Sequence, residues 1–300
     1  MTPYDALPDA LLGRISAAGL DPVAVHAHIV AALEEDLPGD TVDVTSTATV
    51  PASSCSTGDL ATREDGVVAG LDIAEMVFRI VCGDALEVVS RVDDGANVSA
   101  GDVVMRLAGP TRELLTAERT ALNFASHLSG VATATSRWVA ALEGTDAKVL
   151  DTRKTLPGWR ALQKYAVRCG GGVNHRFSLA DMALVKDNHV VAAGGVAEAF
   201  ARVRTEFPDV DIEVEVDTFH QVREVLDAGA DLILLDNFTP AETAEAVTLV
   251  AGRARLESSG RLTLANARAY AETGVDFLAV GALTHSAAVL DIGLDLRAEA

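Results

Sequence analysis

Seven Lys or Arg residues fall between Asp151 and His189: Arg153, Lys154, Arg160, Lys164, Arg168, Arg176 and Lys186. Three acids, Asp151, Asp181 and Asp187, share that window, so its local charge is +4 and the rest of the chain carries −24. Three of the four lysines lie there, beside His175, His189 and the run Gly170-Gly171-Gly172. Arg160, Lys164 and Arg168, spaced i, i+4, i+8, read as one helix face turned to solvent. Arg153, Lys154, Arg176 and Lys186 do not fit that face. They stand at strand ends or next to the glycine run, where fixed cations converge on a pocket and select a polyanion.

Acids supply the complementary part. In Glu213-Val214-Glu215-Val216-Asp217 the carboxylates alternate with valines, which places all three on one side of a strand. A carboxylate inside a barrel must pair with a cation, because an unpaired buried charge costs several kcal/mol. Asp236 ends the apolar run Leu232 to Leu235 one strand later. Glu215 and Asp236 together suit a hard cation such as Mg2+ carried by a pyrophosphate. Salt bridges to Lys154 and Lys186 are the competing use. Further on, Glu257-Ser258-Ser259-Gly260 and Gly281-Ala282-Leu283-Thr284-His285 place small residues where backbone N–H groups can approach a phosphate. His285 reads equally as an anion contact or a cap.

These residues need a frame, and the pattern after about Lys148 provides one. Short apolar runs (148–150, 182–185, 212–216, 232–235, 254–256, 277–280) end in polar residues such as Asp151-Thr152 and alternate with helical stretches (195–207, 219–228, 240–250, 264–273). This is the rhythm of βα units with a parallel sheet, and polar residues at one end of every strand favour a barrel with its site on the C-terminal face. The first 110 residues read instead as an α+β domain, with strands near 58–62, 85–92 and 103–107 and a helix over 70–81. A helix from about Arg112 to Leu142, interrupted near Ser129-Gly130, joins the two. Asp94 to Asp102 resembles the turn of lipoyl and biotinyl carrier domains, but no lysine precedes Lys148, so a structural hairpin is expected.

Bulk properties exclude other classes. With 49% hydrophobic residues, 300 residues can bury a sizeable core. A formal charge of −20 disfavours nucleic acid and anionic membranes as partners. Met1 to Leu12 shows no export signal and no window is long enough for a membrane span. Cys55, Cys82 and Cys169 match neither a disulfide framework nor a zinc spacing, so ordinary packing in a cytoplasmic setting is expected.

The strings Asp151 to Thr155 with Pro157-Gly158, Gly170 to Arg176, Lys186 to His189, Glu213 to Asp217, Leu235-Asp236-Asn237 and Gly281 to His285 resemble those of quinolinate phosphoribosyltransferases. The resemblance extends to Thr116 to Arg119, Asn123, Glu35 to Asp40 and Asp43-Val44-Thr45, and so covers nearly the whole chain in order. It implies a type II phosphoribosyltransferase: an α/β fold with an N-terminal α+β sandwich domain (1–125, joined by the tail 287–300) and an open, TIM-like α/β barrel (126–286). It implies conversion of quinolinate and phosphoribosyl pyrophosphate to nicotinate mononucleotide, pyrophosphate and CO2 in NAD biosynthesis, with Mg2+. It also implies a homodimer, open to higher assembly, in which Arg119 reaches the partner's site.

By position, Arg153, His175, Arg176 and Lys186 would hold the two carboxylates of quinolinate, with Thr152 beside them and Lys154 near the pyrophosphate. Glu215 and Asp236 would position the ribose and the Mg2+ pyrophosphate, and Ser259, Gly260 and Gly281 the 5-phosphate, with His285 adjoining. Lys154, Lys186, Glu215 and Asp236 are the expected catalytic groups. The rivals are a relative with altered substrate, including the molybdenum-transport-associated ones, a class I aldolase using Lys186 as a Schiff base, and a non-enzymatic phosphate-ligand sensor.

Overall fold

The computed structural model describes residues 1–39 and 41–298; Asp40 of the 35–40 string lies outside them. The chain divides into two compact units. One comprises Met1–Ala134, Ala161–Gly170 and the C-terminal tail from Ala287; the other comprises Thr135–Arg160 and Gly171–Ser286.

The first unit opens with helices α1 (Asp9–Ala17), α2 (Pro22–Asp36) and α3 (Val44–Thr49). Asp21 and Asp43 cap the last two by accepting backbone N–H groups, and Pro22 takes the first helical position, where its missing N–H costs nothing. Strands β1 (Cys55–Thr62), β2 (Gly66–Val67), β3 (Glu87–Arg91), β4 (Asn97–Val98) and β5 (Val103–Pro110) follow, with α4 (Leu71–Cys82) between β2 and β3. The α4 side chains Leu71, Ile73, Met76, Val77, Phe78 and Ile80 are almost wholly buried, which makes this helix the centre of the unit's core. The 94–102 stretch links β3 to β5 and is structural. Buried Asp94 accepts the N–H groups of Gly70 and Leu71 at the start of α4, at 2.7 and 3.1 Å, and the Tyr165 hydroxyl at 2.6 Å.

Helix α5 (Thr111–Ala141) runs without a break, against the interruption expected near Ser129-Gly130. Gly130 is there for close approach, because a Cβ would run into the backbone of Ala288 and Val289. On α6 (Arg160–Cys169) the expected solvated face holds for Arg168, which is exposed, but fails at Lys164, which is only 1% exposed. The cysteines are free: Cys55 is exposed, while burial pushes the Cys82 and Cys169 thiols up to about 12 and about 11.

The second unit is an open parallel barrel. Its strands are β6 (Lys148–Leu150), β7 (Ala183–Val185), β8 (Ile212–Val216), β9 (Leu232–Asp236), β10 (Arg255–Ser259) and β11 (Phe277–Ala279), in the order β6-β11-β10-β9-β8-β7. All pairings are parallel, as six βα units require. The crossovers are α7 (Asp187–Ala193), α8 (Val196–Glu206), α9 (Phe219–Asp227), α10 (Pro240–Val250) and α11 (Leu264–Ala271), with a last short turn α12 (Ala282–His285). Thr218 and Thr239 cap α9 and α10 in capping boxes with Gln221 and Glu242, which fixes where each strand end hands over to its helix. The final strand β12 (Ile292–Ala298) returns to the first unit and pairs antiparallel with β1, giving a sheet ordered β12-β1-β5-β3. Among the described residues no single helix is long and apolar enough to cross a membrane.

Candidate active site

A cavity of about 250 Å3 opens at the C-terminal ends of the barrel strands. It is lined by Thr152, Arg153 and Lys154 after β6, His175 and Arg176, Leu184 and Lys186 at β7, Glu215, Leu234, Glu257, Ser259 and Ala279. Most of the cations and acids expected to converge therefore do so.

The loop carrying His175 and Arg176 is tied to the end of β6. Buried Asp151 accepts the Asn174 amide at 2.5 Å and the His175 N–H at 2.9 Å. Among the described residues the buried Arg153 Nε has no hydrogen-bond partner. Arg176 donates to the Met182 carbonyl at 3.0 Å, and burial, then the charge of Arg153, lowers its proton affinity. Both guanidiniums line the cavity. Asp181 braces the following turn by accepting the Phe177 and Ser178 N–H groups at 2.6 and 2.8 Å, and these bonds hold its carboxyl down at about 2 despite the opposing effect of burial.

Lys186 donates to Glu215 at 2.5 Å. His189 accepts the Lys186 backbone N–H at 3.0 Å and so serves the start of α7. The Asp236 carboxyl is pushed up by burial and by Glu215, an effect that Lys186, Asn237 and Lys154 oppose. Asn237 stands at φ 60° and donates to Asp236 at 2.7 Å. Gly260 has φ 81°, and a Cβ there would collide with the Asn237 side chain. At Gly281 a Cβ would meet Lys154 Cδ at 3.1 Å, His285 Nε2 at 3.3 Å and Thr152 Oγ1 at 3.4 Å, so this glycine lets three site residues close on one point. The Thr284 hydroxyl donates to the Lys154 carbonyl at 2.8 Å, and His285 Nδ1 pairs with the Ser286 hydroxyl at 2.6 Å.

Two of the lining residues, His175 and Glu257, form with Glu213 a cluster that residue spacing does not predict. His175 Nε2 is 2.7 Å from Glu213 and 3.4 Å from Glu257, and both acids are almost fully buried. Burial disfavours a charge on the ring and favours a proton on Glu257, while the two acids raise the affinity of the ring, so the cluster retains a proton. His175 Nδ1 accepts the Arg176 N–H at 2.7 Å, which leaves Nε2 as the ring nitrogen facing the two acids.

Three sequence expectations change here. Glu213 and Glu215 point inward, but Asp217 lies beyond β8, exposed, with its N–H on Gln221. Glu257 was missed because the strand was ended at 256; it pairs in register with Leu234, as does Glu215. Ser258 alternates away from Glu257 and Ser259 and is buried off the cavity. Arg119 is not among the lining residues; its side chain is 66% exposed and lies 4.0 Å from Glu118.

Fold and site together define a parallel α/β barrel enzyme that gathers anionic substrates at its strand ends. The comparisons agree with this class. The quinolinate phosphoribosyl transferase N-terminal domain model matches residues 43–129 and the C-terminal domain model residues 131–295. The chain is 54% identical over 269 residues to the nicotinate-nucleotide pyrophosphorylase (carboxylating) of Mycobacterium leprae (strain TN), covering 88% of this chain and 94% of that one. It is 39% identical over 257 residues to a probable enzyme of the same designation from Bacillus subtilis (strain 168), covering 85% and 88%. The crystal structure of NadC from Streptococcus pyogenes aligns with a TM-score of 0.89 at 38% identity, covering 94% and 99%. The chain belongs to the quinolinate phosphoribosyltransferase family.

Proposed function

We infer that this protein joins quinolinate to phosphoribosyl pyrophosphate and releases nicotinate mononucleotide, pyrophosphate and CO2, a step of NAD biosynthesis. The observation that carries the reading is the pair of guanidiniums at Arg153 and Arg176, one with a buried Nε that no group among the described residues satisfies. An unsatisfied buried donor of a charged group costs several kcal/mol. A bound carboxylate supplies the missing acceptor, and the second guanidinium offers a place for a second carboxylate.

Arg153, Arg176 and Lys186 take the substrate carboxylates, with His175 between Arg176 and the buried acids. Lys154, brought against Gly281 and Thr152, faces the pyrophosphate, and Ser259, Gly260 and Gly281 offer backbone to the 5-phosphate, with His285 adjoining. The pyridine nitrogen displaces pyrophosphate at the ribose C1 through an oxocarbenium-like state. Positive charge on that nitrogen then stabilises the carbanion left when the adjacent carboxylate departs as CO2. The protein contributes orientation and electrostatic stabilisation. Glu215 and Asp236 fit Mg2+, since they are oxygen donors in mutual repulsion, which a hard cation relieves. When bound there with the substrate, the ion would neutralise the leaving pyrophosphate.

The same reading makes the protein a cytoplasmic homodimer in which the exposed Arg119 serves the site of the partner subunit. The test of the reaction is incubation of purified protein with Mg2+, phosphoribosyl pyrophosphate and quinolinate. Equal release of CO2 and nucleotide is expected; no nucleotide formation overturns the reading.

A further inference from the structure

Both ring nitrogens of His175 are engaged inside the protein. Nδ1 accepts the Arg176 N–H at 2.7 Å, and Nε2–H is directed at Glu213, 2.7 Å away, with Glu257 at 3.4 Å. Neither nitrogen is left over for a substrate carboxylate. We propose that His175 is a positioning residue: Glu213 and Glu257 hold its imidazole from below, so that Nδ1 fixes the backbone of Arg176 and thereby aims the guanidinium that receives a substrate carboxylate. The proposal rests on the assignment of Arg176 as a carboxylate ligand.

Three observations support it. Arg176 is pinned at both ends, by Nδ1 at its backbone and by the Met182 carbonyl at its guanidinium, which leaves the remaining N–H groups pre-oriented. The His175 backbone is itself fixed by Asp151. The sign of the charge also favours a structural part for the acids: carboxylates beside an anion site oppose the ligand electrostatically, so their contribution is to orient the ring, as carboxylates orient histidines elsewhere. A misaimed ligand group costs a large factor even when it remains present.

The test compares His175→Asn with His175→Gln, since the Asn Oδ1 reaches the Nδ1 position whereas the Gln amide reaches the Nε2 position. Expected is a kcat/KM for quinolinate within several-fold of wild type for His175→Asn, and a loss of about 10- to 100-fold for His175→Gln. The KM for phosphoribosyl pyrophosphate should stay unchanged in both. Glu257→Leu should raise the quinolinate KM, and Glu257→Gln, which can still accept from Nε2–H, should restore it. Nitrogen NMR of the wild-type enzyme supplies a readout independent of variant folding: Nδ1 should remain an unprotonated acceptor with and without quinolinate. Better activity in His175→Gln than in His175→Asn, or a ring that quinolinate converts to imidazolium, overturns the proposal. If Arg176→Ala keeps a normal quinolinate KM, the underlying carboxylate assignment fails instead, so the two failures are distinguishable.

Discussion

On the proposed reading, an anion bound beside Arg153 and Arg176 satisfies the buried Arg153 Nε. Arg176→Ala is therefore expected to lower kcat/KM for quinolinate by about 100-fold or more, because it removes a charge-assisted contact held in the productive position. Steady-state kinetics with each substrate varied in turn would check this, and the effect should fall on quinolinate rather than on phosphoribosyl pyrophosphate. Asp236 has the opposite balance. Its carboxyl is held above the ordinary range by burial and by Glu215, so the folded state binds its proton more tightly than the unfolded chain does. Stability is consequently lost as pH rises from the ordinary carboxylate range through the raised value. Asp236→Asn should then melt at a higher temperature than wild type at neutral pH. The gain should vanish below about pH 4, while turnover falls by about 100-fold or more. Thermal melts across pH, paired with activity assays, test both halves.

At the scale of elements, small residues fix how closely chain segments meet. Gly130 on α5 should not tolerate a side chain: Gly130→Ala gains helix propensity but drives a methyl into the backbone of Ala288 and Val289, with an expected loss of about 1–3 kcal/mol in chemical denaturation. This glycine also shows what a sequence conceals. Its type suggested a break in the helix, whereas its role is close approach by residues more than 150 positions away, which no local pattern carries. Hydrophobic runs ending in polar residues did reveal all six barrel strands, because a strand buried on both faces must be apolar until it reaches the site. Strand ends were harder. Stopping β10 at Leu256 hid Glu257, and continuing the alternation past Val216 misplaced Asp217, since alternation holds only while the strand lasts. Lys164 was read as solvated from its helical spacing, but spacing alone does not say which face of a helix is covered.

For the whole molecule, the −20 formal charge sets off the basic island: Arg153, Lys154, Arg176 and Lys186 line one cavity, together with Glu215 and Glu257, in a chain that is otherwise strongly acidic. The cations and acids of the site were legible from residue type and position, while the His175–Glu213–Glu257 cluster needed three separate chain segments in register. If Arg119 serves the partner's site, mixed subunits carrying Arg119→Ala and Lys154→Ala should recover activity, because one site of each heterodimer is then intact. Random mixing predicts about a quarter of wild-type turnover. No recovery would count against a shared site. The central claim is that paired guanidiniums select a dicarboxylate, and the direct test is side-by-side turnover of quinolinate and nicotinate with phosphoribosyl pyrophosphate. We predict that quinolinate is preferred in kcat/KM by about 1,000-fold or more, because nicotinate leaves one of the cavity cations without its carboxylate; comparable use of the two substrates would contradict the account.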